Sequence, residues 1–414
     1  MSSTDPQRRI PRPVWFLGFT SLLTDAATEI IYPLLPVYLR QVLGASATSL
    51  GIIEGVAEGV NSLLKVISGW IADRRTRRRP LVIIGYAISS AARPLIALAT
   101  AWQQVLLIRA LDRTGKGIRG APRDAMLARF ASASSRGRIF GFHRAMDHTG
   151  AIVGPLIATI FLFFFPGEYR TLFLLTAIPG AAAVAMLFWV QEPDADIAPE
   201  QPAAQSVERG SQRDAINGSR GIESHSRDPL PGRLYAVLGV ILLFSLGNSA
   251  DAFLLLRLTD ALGSSVYIPL LWAGLHVVKA SLSTWGGGLS DRLGRKRVIV
   301  IGWAIYALVY LGFATATSAV AFVAWFLFYG VYFALAEGAE KALVADLTPS
   351  TRHGAAFGLY NAALGVGTLA ASVAFGFFYD RFGAPTAFGV GAALAAIAAL
   401  LLVLLPVSNV RGRI

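Results

Sequence analysis

Twelve apolar stretches, each about 20 residues or longer, constrain this chain more than any other feature. They run over 14–40, 48–72, 80–101, 104–127, 137–165, 170–191, 233–258, 266–289, 297–315, 318–346, 353–379 and 384–406. A helix needs about 20 apolar residues to cross the hydrocarbon core of a bilayer, so each stretch is long enough to span. The balance of residue types agrees: 54% of the 414 residues are hydrophobic, only 15% are charged, and mean hydropathy is +0.56. Soluble domains carry roughly 25% charged residues. A cytosolic enzyme, a disordered scaffold and a fibrous repeat are excluded. The expected fold is an all-α integral membrane protein with twelve transmembrane helices.

Between 191 and 232 the chain turns rich in Pro, Ser, Gly, Arg and Asp, with too little apolar content to form a core. This reads as a solvated linker (192–232) between two six-helix bundles, 1–191 and 233–414. Loop charges give the orientation. The loop after the second segment holds Arg74, Arg75, Arg77, Arg78 and Arg79, and the loop after the eighth holds Arg292, Arg295, Lys296 and Arg297. The loop after the fourth adds Arg129, Arg136 and Arg138, whereas Arg40, Arg170, Arg257 and Arg381 stand singly on the other side. Basic loops stay inside, so both termini and the linker are expected in the cytoplasm, and the short loops point to the inner membrane as the home of this multi-pass protein. The same rule accounts for the net charge of +12, so no nucleic-acid partner is expected. Residues 1–13 are polar and basic, and the apolar run after them is too long for a signal-peptide core.

The two bundles repeat one another. Gly69-Trp-Ile-Ala-Asp73-Arg74 answers Gly287-Gly-Leu-Ser-Asp291-Arg292 at an offset of 218 residues (291 minus 73). At that offset Arg119-Gly-Ala-Pro-Arg123 falls on Glu337-Gly-Ala-Glu-Lys341. Duplicated six-helix units with a substrate path between them are a common plan among secondary transporters.

On these motifs the chain resembles the major facilitator superfamily, over essentially all of its length outside the linker and tails. The loop at Gly69, Asp73, Arg74 and Arg77 resembles the family's signature loop. The copy at Gly287, Asp291, Arg292, Gly294, Arg295 and Lys296 fits it better, because Arg75-Thr76 stands in the first copy where a glycine is usual. Arg113-Thr-Gly-Lys116-Gly117 resembles the fourth-helix motif of proton-coupled members. Gly150-Ala-Ile-Val-Gly154-Pro155 resembles the fifth-helix motif of antiporters, where Gly and Pro let helices approach and bend. The resemblance implies two pseudo-symmetric bundles that rock about a central site. It also implies a monomer that moves a small solute against protons, with Arg113 modulating a proton-binding carboxylate. Export by antiport is the direction that follows from the fifth-helix motif. The alternative is an uptake symporter or exchanger for an anionic nutrient, motivated by Arg109, Arg113, Lys116, Arg119 and Arg123 along one helix.

No enzyme chemistry competes with this reading. Cysteine is absent, and the five histidines have no ligand-type spacing, so no metal site is expected. Gly115-x-Gly117-x-x-Gly120 spells a dinucleotide fingerprint, but it lies in mid-helix with no strand before it. No cofactor is expected.

Charged residues inside the apolar segments are the most informative feature for function. Each costs about 2.5–3.5 kcal/mol at the bilayer centre on insertion scales, so such residues face the bundle interior. Asp25 and Glu29, four residues apart, share one helix face. Two close carboxylates in a dry interior do not both ionise cheaply, which suits proton coupling. The competing reading pairs each permanently with a basic residue on the second or fourth segment. Glu54, Glu58, Asn61 and Lys65 form a stripe on the second segment, beside a ridge of Gly51, Gly55 and Gly59. Glu54, Glu58, Arg109 and Lys116 are candidates for the cavity. In the second bundle Asn248, Asp251, His276 and Lys279 are the substrate-contact candidates, with a plain Asp251–Lys279 pair as the alternative. Toward the cytoplasm, Arg119, Arg123, Asp124, Arg144 and Asp147 are expected to form a gate with Glu337 and Glu340. In that gate Asp124 would meet the loop arginines, and Arg119 would bridge to the other bundle. Trp15, Trp102 and Trp303 read as interfacial anchors.

Overall fold

The computed structural model describes residues 10–74, 77–130, 136–191, 230–349 and 352–406. Twelve helical rods fill it: α1 (Arg12–Gln41), α2 (Ala47–Arg74), α3 (Arg79–Leu98), α4 (Trp102–Arg129), α5 (Arg136–Phe164), α6 (Tyr169–Leu187), α7 (Gly232–Leu262), α8 (Ile268–Leu293), α9 (Arg295–Thr315), α10 (Ala319–Asp346), α11 (His353–Phe382) and α12 (Ala384–Leu404). No strand occurs among the described residues. By length and hydropathy nine of the rods are long and apolar enough to span. Among the described residues α2, α4 and α8 fall outside that set, the first two because they carry charged residues along their length. Side chains exposed on the outer rods are apolar, among them Phe163, Phe164, Ile178 and Leu404.

Each half repeats one packing plan. α1 lies on α5 and α6, α2 on α4, and α3 on α4 and α6. In the same way α7 lies on α11 and α12, α8 on α10, and α9 on α10 and α12. The halves meet through α2 against α11 and α5 against α8. Glycine makes the first of these contacts possible. A methyl at Gly51 would strike the Ser372 carbonyl, one at Gly55 would meet Leu369, and one at Gly376 would meet Ala47. The ridge on α2 is therefore a seam between halves.

Several rods are interrupted, and the interruptions follow sequence. Pro33 and Pro94 sit where α1 and α3 tighten into 3-10 turns over Tyr32–Leu34 and Arg93–Leu98. α7 is unwound from Asn248 to Asp251 between Gly247 and Ala252. Gly263, at φ 64°, ends α7 in the left-handed conformation that glycine tolerates without a Cβ clash.

The apolar core is distributed unevenly along the rods. At the end away from the termini one continuous core joins Leu34, Leu35 and Tyr38 of α1 to Phe253 and Leu254 of α7 and Ile268 of α8. At the terminal end the first half keeps a separate core around Val14, Val82, Tyr86, Met126 and Leu187. Among the described residues, the buried apolar core that crosses between the halves lies at the far end.

Candidate functional site

Between the halves lies a cavity of about 460 Å³, within the range of small-molecule sites. Its walls come from α1, α2 and α4 on one side and α7, α8, α10 and α11 on the other. The unwound stretch of α7 contributes Asn248, Ser249, Ala250 and Asp251. Irregular backbone at membrane depth is tolerated where it lines such a cavity. Lys65 and Glu337 at the terminal end of the cavity are exposed, whereas Glu54 at its depth is buried. The cavity therefore opens toward the terminal side.

The first-half wall is built on a chain of buried charges. Both oxygens of Glu54 accept from Nη2 of Arg109, at 2.7 and 3.0 Å. Arg109 also lies 3.7 Å from Asp112, which in turn accepts from Nε of Arg93 at 3.0 Å. All four are nearly inaccessible. Arg109, expected in the cavity, instead stands behind Glu54 as its counter-ion, and only Glu54 faces the opening. Glu58 lines the cavity and accepts from Asn61 at 2.8 Å, with Arg113, Lys116 and Lys65 as the cations around it. Arg113 and Lys116 both reach the cavity surface. Neither makes a hydrogen bond or a salt bridge to a described residue, and Nε of Arg113 is buried without a partner.

Asp25 and Glu29 have separated fates. Glu29 lines the cavity and accepts from the indole Nε1 of Trp272, in the other half, at 2.7 Å. Asp25 makes no hydrogen bond or salt bridge to a described residue. It lies in the field of Asp147, Lys116, Arg119 and Arg123.

Aromatic rings organise the second-half wall. Phe244 stacks on Trp303 at 4.4 Å, Tyr306 on Tyr310 at 4.2 Å and Tyr329 on Tyr332 at 5.7 Å. Their polar ends hold the charged residues: Tyr329 donates to Asp251 at 2.8 Å, while Trp303 and Tyr360 donate to Glu340 at 2.8 and 3.0 Å. Trp303 is fully buried, not an interfacial anchor, because its N–H is needed by that carboxylate. Asp251 also faces Lys279 at 3.7 Å, the plain pair that was the alternative to substrate contact. Asn248 donates to Tyr332 at 3.3 Å. His276 packs edge-on against Trp272, and its Nε2 is buried with no partner.

The expected terminal-side gate is only partly assembled in this conformation. Arg144 approaches Glu337 across the halves at 3.8 Å, and both are exposed. Arg119 makes no bridge to the other half. It donates to Ser89 at 2.7 Å and lies over the Tyr86 ring at 4.3 Å. Glu340 is held by Trp303 and Tyr360 within its own half, and Glu337 pairs with Lys341 at 2.9 Å. Asp124 pairs with its neighbour Arg123 at 2.9 Å, and its expected meeting with Arg74 or Arg75 lies outside the described residues. Asp147 accepts from Ser21 and lies 3.5 Å from His143. In the second signature loop Asp291 bonds Arg295, which reaches Asp346 at 3.5 Å, so that loop ties its own half. Arg292 is exposed, and a methyl at Gly287 would meet nothing. Arg77 is exposed. The surroundings of Gly69, Asp73 and Arg74, and the residues Arg75 and Thr76, lie outside the described residues, as does 192–229 of the linker. Gly150 and Gly154 let α5 lie on α1, where methyls would strike the carbonyls of Leu22 and Ala26. Pro155 continues the same helix.

The far end is tied more firmly. Arg40 bonds Asp260 at 2.8 and 2.9 Å, and Tyr379 donates to the same carboxylate at 3.1 Å. Asp380, at the end of α11, accepts from the backbone N–H groups of Ala47 and Thr48 at 3.0 and 2.7 Å and from the Thr48 hydroxyl at 2.6 Å. One half thus caps the first turn of a helix in the other. Sequence reasoning missed this contact although its signal was present. Gly376-x-x-x-Asp380-Arg381-x-Gly383 repeats the signature pattern on the opposite side. Trp272 and Phe333 line the cavity without a sequence signal that singles them out, since ring content alone does not separate lining from packing.

The sequence pattern of the Major Facilitator Superfamily matches residues 17–278 and 236–413. An uncharacterised MFS-type transporter, MJ1317, of Methanocaldococcus jannaschii is 31% identical over 406 residues, covering 97% of this chain and 96% of that one. The multidrug resistance protein MdtH of Photorhabdus laumondii is 29% identical over 145 residues, 35% of this chain and 36% of its own. Among solved structures, a POT family transporter in complex with 5-aminolevulinic acid superposes with a TM-score of 0.77 at 12% identity, over 96% of this chain and 97% of that one. With the doubled packing plan and the cavity between halves, these likenesses place the chain in the major facilitator superfamily as a membrane transporter.

Proposed function

We propose that this transporter couples the movement of a small solute to protons carried on Asp25 and Glu29. The observation that carries the reading is the 2.7 Å bond from Trp272 to Glu29. It sets a carboxylate charge into a contact between the halves. A proton on Glu29 removes the charge that strengthens that bond, and the balance between rocking states shifts with it. The groups that face Glu29 are Trp272, Asp25, Lys116 and Arg113, with Lys279 across the cavity. Those that face Asp25 are Asp147, Lys116, Arg119 and Arg123. Neutralising either carboxylate leaves Lys116 with less negative charge opposite it. A solute that brings negative charge then binds with the proton rather than against it, which makes co-transport the direction this geometry favours. In this reading the chain works as a monomer in the inner membrane, and the basic loops support an open side that faces the cytoplasm.

Export in exchange for protons is the second reading. It rests on the likeness of Gly150, Gly154 and Pro155 to the antiporter motif and on the partial match to a multidrug resistance protein. Purified chain in liposomes that hold a pH-sensitive dye separates the two. Solute-dependent proton flow in the direction of solute flow, lost in Asp25→Asn or Glu29→Gln, is the expected result. Opposed flows would select export by antiport. Solute movement with no proton flow would overturn coupling altogether.

A further inference from the structure

We infer that the central cavity recognises an organic anion, its carboxylate or phosphonate-type group held between Arg113 and Lys116 and its apolar body against the rings of Tyr32, Trp272 and Phe333. This rests on the cavity being the transport site and adds what it takes.

The inference starts from which buried charges are already satisfied. Arg93 is bonded to Asp112, Arg109 to Glu54, Arg119 to Ser89 and Arg123 to Asp124. On the far wall Asp251 has Lys279 and Tyr329, and Glu340 has Trp303 and Tyr360. Glu29 has Trp272. The acids that face the cavity are thus occupied as acceptors. Of the cations that line the cavity, Arg113 and Lys116 remain at its depth and Lys65 at its exposed mouth. Arg113 is only 6% exposed, yet its Nε has no partner and its side chain reaches the cavity. Three cations, Arg113, Lys116 and Lys65, surround the single carboxylate of Glu58, whose Oε2 is taken by Asn61. A buried guanidinium left without acceptors is costly. Charge-assisted bonds to a planar carboxylate or a phosphonate would satisfy it.

Opposite these cations the wall is aromatic. Tyr32 packs on Trp272 with ring centroids 5.2 Å apart, and Lys279 lies over Phe333 and Trp272, so the three rings form one joined aromatic surface of the cavity. His276 also lines the cavity, its Nε2 buried without a hydrogen-bond partner. A small inorganic ion fills none of this wall. A cationic solute would meet Arg113 and Lys116, the cations of this wall that have no bonded carboxylate.

The test measures binding to the purified full chain in nanodiscs at constant pH, without a gradient, so it stands apart from proton coupling. The probes are benzoate, phenylphosphonate, inorganic phosphate, benzamide and benzylamine, read by calorimetry and by the heat-unfolding midpoint. Benzoate and phenylphosphonate should bind at least tenfold more tightly than the other three. Lys116→Met should lose that margin, Arg113→Lys should keep part of it, and Arg381→Gln should leave it intact. Because a substitution inside the bundle can impair folding, wild-type protein provides a second readout: benzoate should shield Lys116 from amine acylation. Failure of both aromatic anions to bind would overturn the proposal. So would equal binding of benzylamine or inorganic phosphate, or acylation of Lys116 unchanged by benzoate.

Discussion

In the first half Glu54, Arg109, Asp112 and Arg93 run as a chain of buried charges through three helices. In the second half the corresponding interior is filled by the rings of Phe244, Trp303, Tyr306, Tyr310, Tyr329 and Tyr332. The duplication makes the contrast sharp. At the offset of 218, Arg109, Asp112, Arg113 and Lys116 fall on Leu327, Gly330, Val331 and Ala334 of α10. One packing plan is stabilised by ion pairs in one copy and by stacked aromatics with hydroxyl tips in the other. A charge chain is all-or-none, since removal of one member strands the next. An aromatic cluster loses area and single hydrogen bonds, and its other members stay satisfied. Under the proposed coupling the first half carries the two proton-binding carboxylates, Asp25 and Glu29, and the aromatic half presents the facing wall.

The largest expected effect comes from breaking the charge chain. Arg109→Met leaves Glu54 buried without its counter-ion and should cost about 3–5 kcal/mol, the usual price of stranding a buried charge. Unfolding by heat or denaturant in a fixed detergent reads it. Adding Glu54→Gln to that variant should recover much of the loss, since the pair depends on both members. A loss no greater than that of a single hydroxyl would show that the chain does not hold this half together.

The matching change in the aromatic half is Tyr306→Phe, which removes the 3.1 Å bond to the Gly247 carbonyl and keeps the ring. It should cost about 1 kcal/mol, measured in the same assay. If it unfolds the chain as readily as Arg109→Met, the contrast between the halves fails.

A smaller effect is expected from a second contrast, between the tied far end and the open terminal end. Asp380→Ala removes all three bonds that cap α2. Side-chain caps are worth about 1 kcal/mol, so the balance between conformations should move about fivefold toward opening at the far end. The chain has no cysteine, so one introduced at Tyr32 gives a clean reading. Its labelling from the far side should quicken in Asp380→Ala. Unchanged labelling would mean that the shared apolar core, not the cap, keeps that end shut.

Much of this was written in the chain itself. Segment length and hydropathy set the membrane class and the twelve rods, because an isolated span must satisfy its backbone within its own helix. The repeated motifs set the two halves, and the cost of charge in lipid announced which residues face inward. Partner choice was not readable there. Arg109 and Arg113 are four residues apart on one helix face with the same charge, yet the first is paired with Glu54 and the second bonds no described residue at the cavity. Trp303 looked like an anchor and proved to be a buried donor to Glu340. Asp380 carried the signature pattern, but only the meeting of α11 with α2 showed that it caps the opposite half. Helical periodicity places a side chain on a face, and it is the packing of helices distant in sequence that decides what that face meets.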